Sequence, residues 1–271
     1  MTQARPDSVH EQVRAGYTAV VERAPLCCAG GQSVAEQVAR RVGYSEDDLD
    51  AVPDGANLGV GCGNPTALAD LRPGEVVLDL GCGAGFDAFL AARAVGPTGR
   101  VIGVDMTEAM LERARENARR GDFANVEFIA GTIEDLPLPD ASVDVVISNC
   151  VINLSPDKPR VFREAFRVLR PGGRLAVSDL VLEAQLPAPL LESIEAWVGC
   201  LAGALLRDDY LGAIRRAGFR DVRVVGETGY GGVIDVQTPE IRAVAERAGL
   251  SSEQLDRAIA SVTSVKIGAR R

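Results

Sequence analysis

Between Glu75 and Val181 the chain alternates short apolar runs with amphipathic stretches, and few folds accept that order. VVLDL, RVIGVD, NVEFIAG, SVDVVISNCV and RLAVSDLV read as strands. FDAFLAARAVG, TEAMLERARENARRG and KPRVFREAFRVLRPGG read as the helices between them, the second closed by Gly121 and the third by a Pro-Gly-Gly stop. Strands alternating with helices at this spacing predict a parallel sheet covered on both faces and joined by right-handed crossovers. After Glu183 the pattern gives way to a proline-punctuated helical insertion ending WVGCLAGALL. It resumes with the helix RDDYLGAIRRAG, the strand FRDVRVVGE, a helical stretch over 238–259 and a last alternating run, SVTSVKIGAR. Ahead of the sheet, residues 7–24 predict a helix with Val9, Val13 and Tyr17 on one face, and residues 33–42 a second.

The expected architecture is α/β: a Rossmann-type doubly wound sheet with an N-terminal helical cap and an insertion after the fifth strand. Its expected divisions are the cap and a substrate loop (1–70), the core (71–182), a substrate-binding insertion (183–207) and the completion of the sheet (208–271). A hydrophobic content of 46% over 271 residues suffices for a large core. A net charge of −9 argues against nucleic acid and against an anionic membrane surface. No apolar run approaches the ~20 residues of a membrane span, and the polar start MTQARPDSVHEQVR lacks the apolar stretch of a signal peptide. The expected location is therefore cytoplasmic, where cysteines stay reduced. The single histidine, His10, lies in a polar segment, which speaks against an imidazole inside a site.

Two loops share the triplet Gly-Cys-Gly: LGCGAG at 80–85 and GVGCGNP at 59–65. The first of these follows an apolar strand and opens a helix, the context of a cofactor loop. Gly81, Gly83 and Gly85 let the backbone turn and approach a ligand. Asp79 stands before the loop, where a carboxylate can take up an amino group. Asp105 ends the second strand, where a carboxylate accepts hydrogen bonds from ribose hydroxyls. A dinucleotide enzyme would more often carry GxGxxG. VLDLGCGAG with VIGVD resembles the class I S-adenosylmethionine-dependent methyltransferases. That resemblance implies the strand order 3-2-1-4-5-7-6 with the last strand antiparallel. It also implies a cofactor site of Asp79, Gly81, Cys82, Gly83, Gly85 and Asp105, with Met106 packed on adenine, Ile133 and Glu134 at the adenine edge, and Asn149 facing the methyl donor.

GVGCGNP has no strand in front of it, so a second nucleotide loop is not expected. Cys150 ends the fourth strand, where open sheets bind ligands, and Cys200 lies in the insertion. Two readings stand for Cys62, Cys150 and Cys200: small apolar filler, or three thiols converging above the methyl group. Zinc usually takes four ligands, often in CxxC pairs, and there is no CxxC here. A soft three-coordinate centre such as trivalent arsenic fits better. The stretches GCGNPTALA, DLGCGAGFD, SNCVINLSPDK and GCLAGAL together resemble arsenite methyltransferases, over about 27–225. This resemblance implies arsenic held by Cys62, Cys150 and Cys200, with Cys27 or Cys28 in a redox cycle. It further implies arsenite or its thiol adducts as substrate, and a small thiol or thioredoxin as reductant. Two alternatives remain open at this point: methylation of a small organic substrate, and a non-catalytic thiol-rich metalloid binder.

Overall fold

In the computed structural model, which describes residues 6–23, 34–191, 200–229, 246–247 and 249–271, one seven-stranded sheet runs β3-β2-β1-β4-β5-β7-β6. In chain order the elements are α1 (Pro6–Arg23), α2 (Val34–Val42), α3 (Glu46–Asp50), α4 (Pro65–Ala69), β1 (Val76–Leu80), α5 (Phe86–Val95), β2 (Arg100–Asp105), α6 (Glu108–Arg120), β3 (Val126–Ala130) and β4 (Val143–Asn149). Then come α7 (Lys158–Val168), β5 (Leu169–Leu182), α8 (Ala188–Leu191), α9 (Arg207–Arg216), β6 (Arg220–Gly229), α10 (Ser252–Ala260) and β7 (Val262–Arg270). Strands β1 to β5 pair in parallel, and β7 runs antiparallel to both β5 and β6. The order and the reversed last strand are those expected.

Alternation within each strand explains why both faces need cover. Val77, Val145 and Ile147 face the core layer holding Ala88, Phe89 and Leu111 of α5 and α6. Leu78, Leu80 and Val146 face the opposite layer, with Phe162 of α7 and Tyr210 and Ile214 of α9. Strands buried on both sides become the continuous apolar runs read in the sequence. A third cluster lies over the carboxyl ends of the strands. There Val9 and Val13 of α1 pack with Cys62, Cys150, Leu180 and Cys200.

Two boundaries differ from expectation. Helix α7 ends at Val168, before Leu-Arg-Pro-Gly-Gly, because Leu169 is already extended (φ −65°, ψ 143°) and pairs with Val143. The Pro-Gly-Gly stop thus lies inside β5, where the register with β4 shifts between Val143 and Val145. The stretch 238–259 is not one helix in its described part. Gly249 takes φ +66°, and Ser251 starts α10 with a reciprocal capping box to Gln254.

Candidate active site

The loop after β1 owes its course to glycine. Gly81, Gly83 and Gly85 have φ of +63°, +52° and +96°, values that cost other residues strain. A Cβ on Gly81 would also lie 2.2 Å from Cγ2 of Val151. The loop folds back on β2: the Gly81 N–H donates to the Val104 carbonyl (2.8 Å), and the Gly83 N–H to Oδ2 of Asp105 (3.0 Å). The Thr107 N–H donates to the other Asp105 oxygen at 2.8 Å.

Beside this loop is a cleft with an empty volume of about 670 Å³. Gly81, Gly83, Asp105, Met106, Ile133, Glu134, Asn149 and Cys150 border it. Asp79 and Cys82 border an adjoining hollow that shares Val60, Gly81, Gly83 and Asn149 with the first. Gly85 lines neither. It caps α5, and a Cβ there would meet the Phe89 ring at 2.6 Å.

Buried carboxylates dominate the hollow. Asp79 is 2% exposed, and its Oδ2 has no hydrogen-bond partner. Burial, then the charges of Asp87 and Asp105, push its pKa well above the usual range. Burial pushes Asp87 up to about 6, against hydrogen bonds from Tyr44 and Asn149. Burial likewise raises Asp105, against the Thr107 and Gly83 N–H groups. A buried Asp79 carboxyl raised by two neighbouring carboxylates makes a pocket fitted to a cation. The orphaned Asp79 oxygen suits an ammonium, and the Asp105 carboxylate at the end of β2 suits a ribose. The donor set and the glycine cradle therefore fit S-adenosylmethionine.

The other Gly-Cys-Gly loop is shaped by its neighbours. A Cβ on Gly61 would lie 2.7 Å from Nδ2 of Asn149, and one on Gly63 would lie 1.6 Å from Oγ of Ser178. These contacts pin Cys62 against the sheet edge. Its N–H donates to Oδ1 of Asn149 (3.0 Å), its thiol approaches the Ser178 carbonyl (3.5 Å), and Ser264 Oγ donates to its carbonyl (2.6 Å). Three acceptors share the two N–H groups of Asn149 Nδ2: the Gly63 carbonyl (2.9 Å), Tyr44 Oη (3.0 Å) and Asp87 Oδ2 (2.9 Å). One amide thus ties the Cys62 loop to the carboxylate hollow.

Cys62, Cys150 and Cys200 are buried together. The Cys62 and Cys150 sulfurs lie within 4.8 Å of each other. The Cys200 thiol donates to the Cys150 carbonyl at 2.8 Å. Both Cys150 and Cys200 sit at positive φ, +61° and +63°, a conformation few non-glycine residues adopt. Burial raises the Cys62 pKa. At Cys150 the Cys200 hydrogen bond pulls the pKa down, but Cys62, burial and Asp179 outweigh it. At Cys200 the Cys150 hydrogen bond and burial push it up. All three are therefore thiols at neutral pH. Cys82 stands apart: a Cβ on Gly103 would touch its sulfur at 2.8 Å, and it packs in the core layer of Phe89 and Phe128. Cys27 and Cys28 lie outside the described residues.

Four groups near the site have no role assigned by the motifs. His10 is one, and the expectation that the lone imidazole stays out of a site is overturned. It borders the cleft and its Nε2 lies 2.9 Å from Oε1 of Glu134. Burial works against ionised Glu134, but hydrogen bonds from His10 and Ser155 win and hold its pKa below the usual range. The signal was present: His10, Val13 and Tyr17 are spaced three and four apart on α1, one face of a helix. Tyr17 Oη reaches to 4.0 Å from the Cys200 sulfur. Lys158, only 5% exposed, donates to the carbonyls of Ser155 (2.9 Å) and Asn153 (3.2 Å), and burial lowers its pKa to about 8. Asp179 is fully buried beside Cys62 and Cys150.

The methyltransferase-domain family matches residues 71–218. An arsenite methyltransferase of Halobacterium salinarum is 49% identical over 231 residues, 81% of this chain and 59% of that protein. The arsenite methyltransferase of Mus musculus is 32% identical over 252 residues, 88% of this chain and 64% of that one. The chain thus spans about three fifths of the length of these two relatives. The crystal structure of an arsenic (III) S-adenosylmethionine methyltransferase from Chlamydomonas reinhardtii superposes with a TM-score of 0.62 at 36% identity, covering 89% of this chain and 74% of that one. No helix among the described residues is long and apolar enough to cross a membrane.

Proposed function

Because the chain belongs to the methyltransferase-domain family, and within it to the arsenite methyltransferases, we propose that it methylates trivalent arsenic held by Cys62, Cys150 and Cys200. The observation that carries this reading is the meeting of three thiols, from three separate segments, beside a cleft suited to the methyl donor. Thiols used only as packing would not need two of their backbones in the left-handed region.

Asp79 would take the ammonium of the donor and Asp105 its ribose, with Met106 and Ile133 at the adenine. S-adenosylmethionine bound there supplies an electrophilic methyl on a cationic sulfonium. Arsenous acid loses one hydroxide to each thiol; the thiol proton leaves with it as water, so capture needs no external base. The second and third captures are intramolecular, which favours them by effective concentration. Three sulfurs occupy arsenic's bonds and leave its lone pair free to attack. The chain's contribution is alignment: Asn149 fixes Cys62 relative to the carboxylate hollow, and proximity supplies much of the barrier reduction. Attack by the lone pair raises arsenic's formal state by two. Two thiols return it to the trivalent state by forming a disulfide; Cys27 or Cys28 is assigned to that exchange, and a small external thiol or thioredoxin resets it.

Reduced protein incubated with S-adenosylmethionine, arsenite and a small thiol should yield methylarsenic, separated by chromatography with elemental detection. The product should vanish in Cys150→Ser. A Cys150→Ser protein that still methylates arsenite at the full rate would overturn the assignment.

A further inference from the structure

The thiol cluster contains one donor that three-coordinate arsenic has no use for. We propose that Asp179, with Cys62, Cys150 and Cys200, forms a four-donor site for a soft divalent cation, zinc or cadmium, which therefore competes with the trivalent substrate. The competition clause rests on the function proposed above; the metal site itself stands on the geometry alone.

The Cys62 and Cys150 sulfurs and an Asp179 carboxylate oxygen all lie within 4.8 Å of one another, and all three residues are buried. A tetrahedral zinc with bonds of ~2.3 Å to sulfur and ~2.0–2.2 Å to oxygen holds its ligand atoms about 3.5–3.8 Å apart. Closing the cluster on such an ion therefore takes side-chain movements of about 1 Å or less. Cys200 lies next to Cys150, its sulfur 2.8 Å from the Cys150 carbonyl oxygen. Turning that thiol from the carbonyl toward the ion supplies the fourth bond.

Asp179 is held like a metal-binding carboxylate. The Leu180 N–H donates to Oδ1 and the Tyr210 hydroxyl to Oδ2, each at 2.9 Å, and each oxygen keeps a lone pair. Such outer partners orient a ligand before the ion arrives. Charge also separates the two classes of guest. Three thiolates neutralise trivalent arsenic completely. Three thiolates and a carboxylate around a divalent ion leave a charge of about −2. The Lys158 ammonium, buried close to Asp179 and Cys200, offsets part of it. Arsenic keeps a lone pair where the divalent ion needs a donor, so only the divalent ion requires Asp179. Coordination releases the thiol protons to solvent, and cation binding tightens as pH rises.

The test is cadmium-113 NMR of the reduced full chain with one equivalent of cadmium in thiol-free buffer. A shift characteristic of three sulfurs and one oxygen is expected. A sulfur-only shift, or no bound cadmium, would overturn the proposal. Asp179→Asn should then weaken cadmium binding about tenfold or more, while arsenite capture changes by less than about twofold. Equal losses for both guests would refute a fourth-donor role. Thermal melting confirms that the variant folds, and if it does not, the wild-type spectrum still decides. The two readings fail separately. Cadmium bound by three sulfurs and one oxygen in a protein that never captures arsenite removes the methylation reading and leaves this one standing. Arsenite captured without cadmium binding does the reverse.

Discussion

The two Gly-Cys-Gly loops are spelled alike and built for opposite reasons. At 81–83 the glycines answer a backbone demand: φ is positive at both, and the N–H groups turn inward to β2 and Asp105. The cysteine between them points into the core against Gly103. At 61–63 neither glycine has positive φ, and the demand comes from crowding by Asn149 and Ser178. The cysteine between those points at the thiol cluster. Glycine marks a tight place in both loops, but only the surroundings say whether the side chain between two glycines is structure or chemistry.

The sharpest way to break this comparison is to exchange the two cysteines' fates. Cys62→Ser should reduce arsenite methylation at least about 100-fold, a rise of ~3 kcal/mol in the barrier, with S-adenosylmethionine affinity unchanged. Cys82→Ser should keep the rate per folded molecule and cost about 1–3 kcal/mol of stability, because a hydroxyl replaces a packed thiol. Rate assays and urea unfolding on both variants read the contrast; a Cys82→Ser protein that loses activity without losing stability would dissolve it.

The glycines give the next largest effects. Gly81→Ala meets both a left-handed φ and Val151, and should lose about 1–3 kcal/mol of stability together with donor affinity. Gly63→Ala drives its Cβ into Ser178 and displaces Cys62, so arsenite capture should fall while donor binding measured by calorimetry persists. Comparable loss of both ligands in Gly63→Ala would mean the loops are not separable.

Asn149→Ala tests the bridge between them. It removes the acceptor for the Cys62 N–H and the donor to Asp87, so KM for arsenite and Kd for the donor should both rise, by about 5- to 30-fold each. An effect on one alone would locate the residue in a single loop.

The last effect is a slope, spread over a range of pH. Asp87 titrates near 6 in the fold because burial raises it, against about 3.9 in an unfolded chain. The folded state therefore binds this proton more tightly. Its contribution to stability is full below about pH 4 and declines as pH rises to about 6, by roughly 3 kcal/mol in the absence of a cation. Unfolding midpoints measured across that window should fall less steeply in Asp87→Asn, and less steeply in wild type saturated with the cationic donor. Parallel slopes in all three samples would remove Asp87 as the cause.

Much of this molecule is readable locally. Five apolar runs, four of them ended by glycine, asparagine or aspartate, specify the parallel strands, and the strand–glycine–helix sequence at 76–95 specifies a ligand loop. Asp79 and Asp105 follow from their places at strand ends. The missed start of α10 was also local, a Ser251–Gln254 capping box inside an amphipathic stretch.

The sequence by itself determined the alternation, hence the parallel sheet, the edge at which ligands collect and the three cysteines that topology sends there. These follow from periodicity and turn chemistry, which act over a few residues. Only the tertiary structure decided that His10 meets Glu134 across 124 residues, that Cys82 packs with Phe89 and Phe128 while Cys62 joins the other thiols, and that Asp179 lies within reach of two thiols. Those outcomes depend on which faces of distant elements pack together, and a side chain's direction is fixed by the neighbour that fills the space beside it.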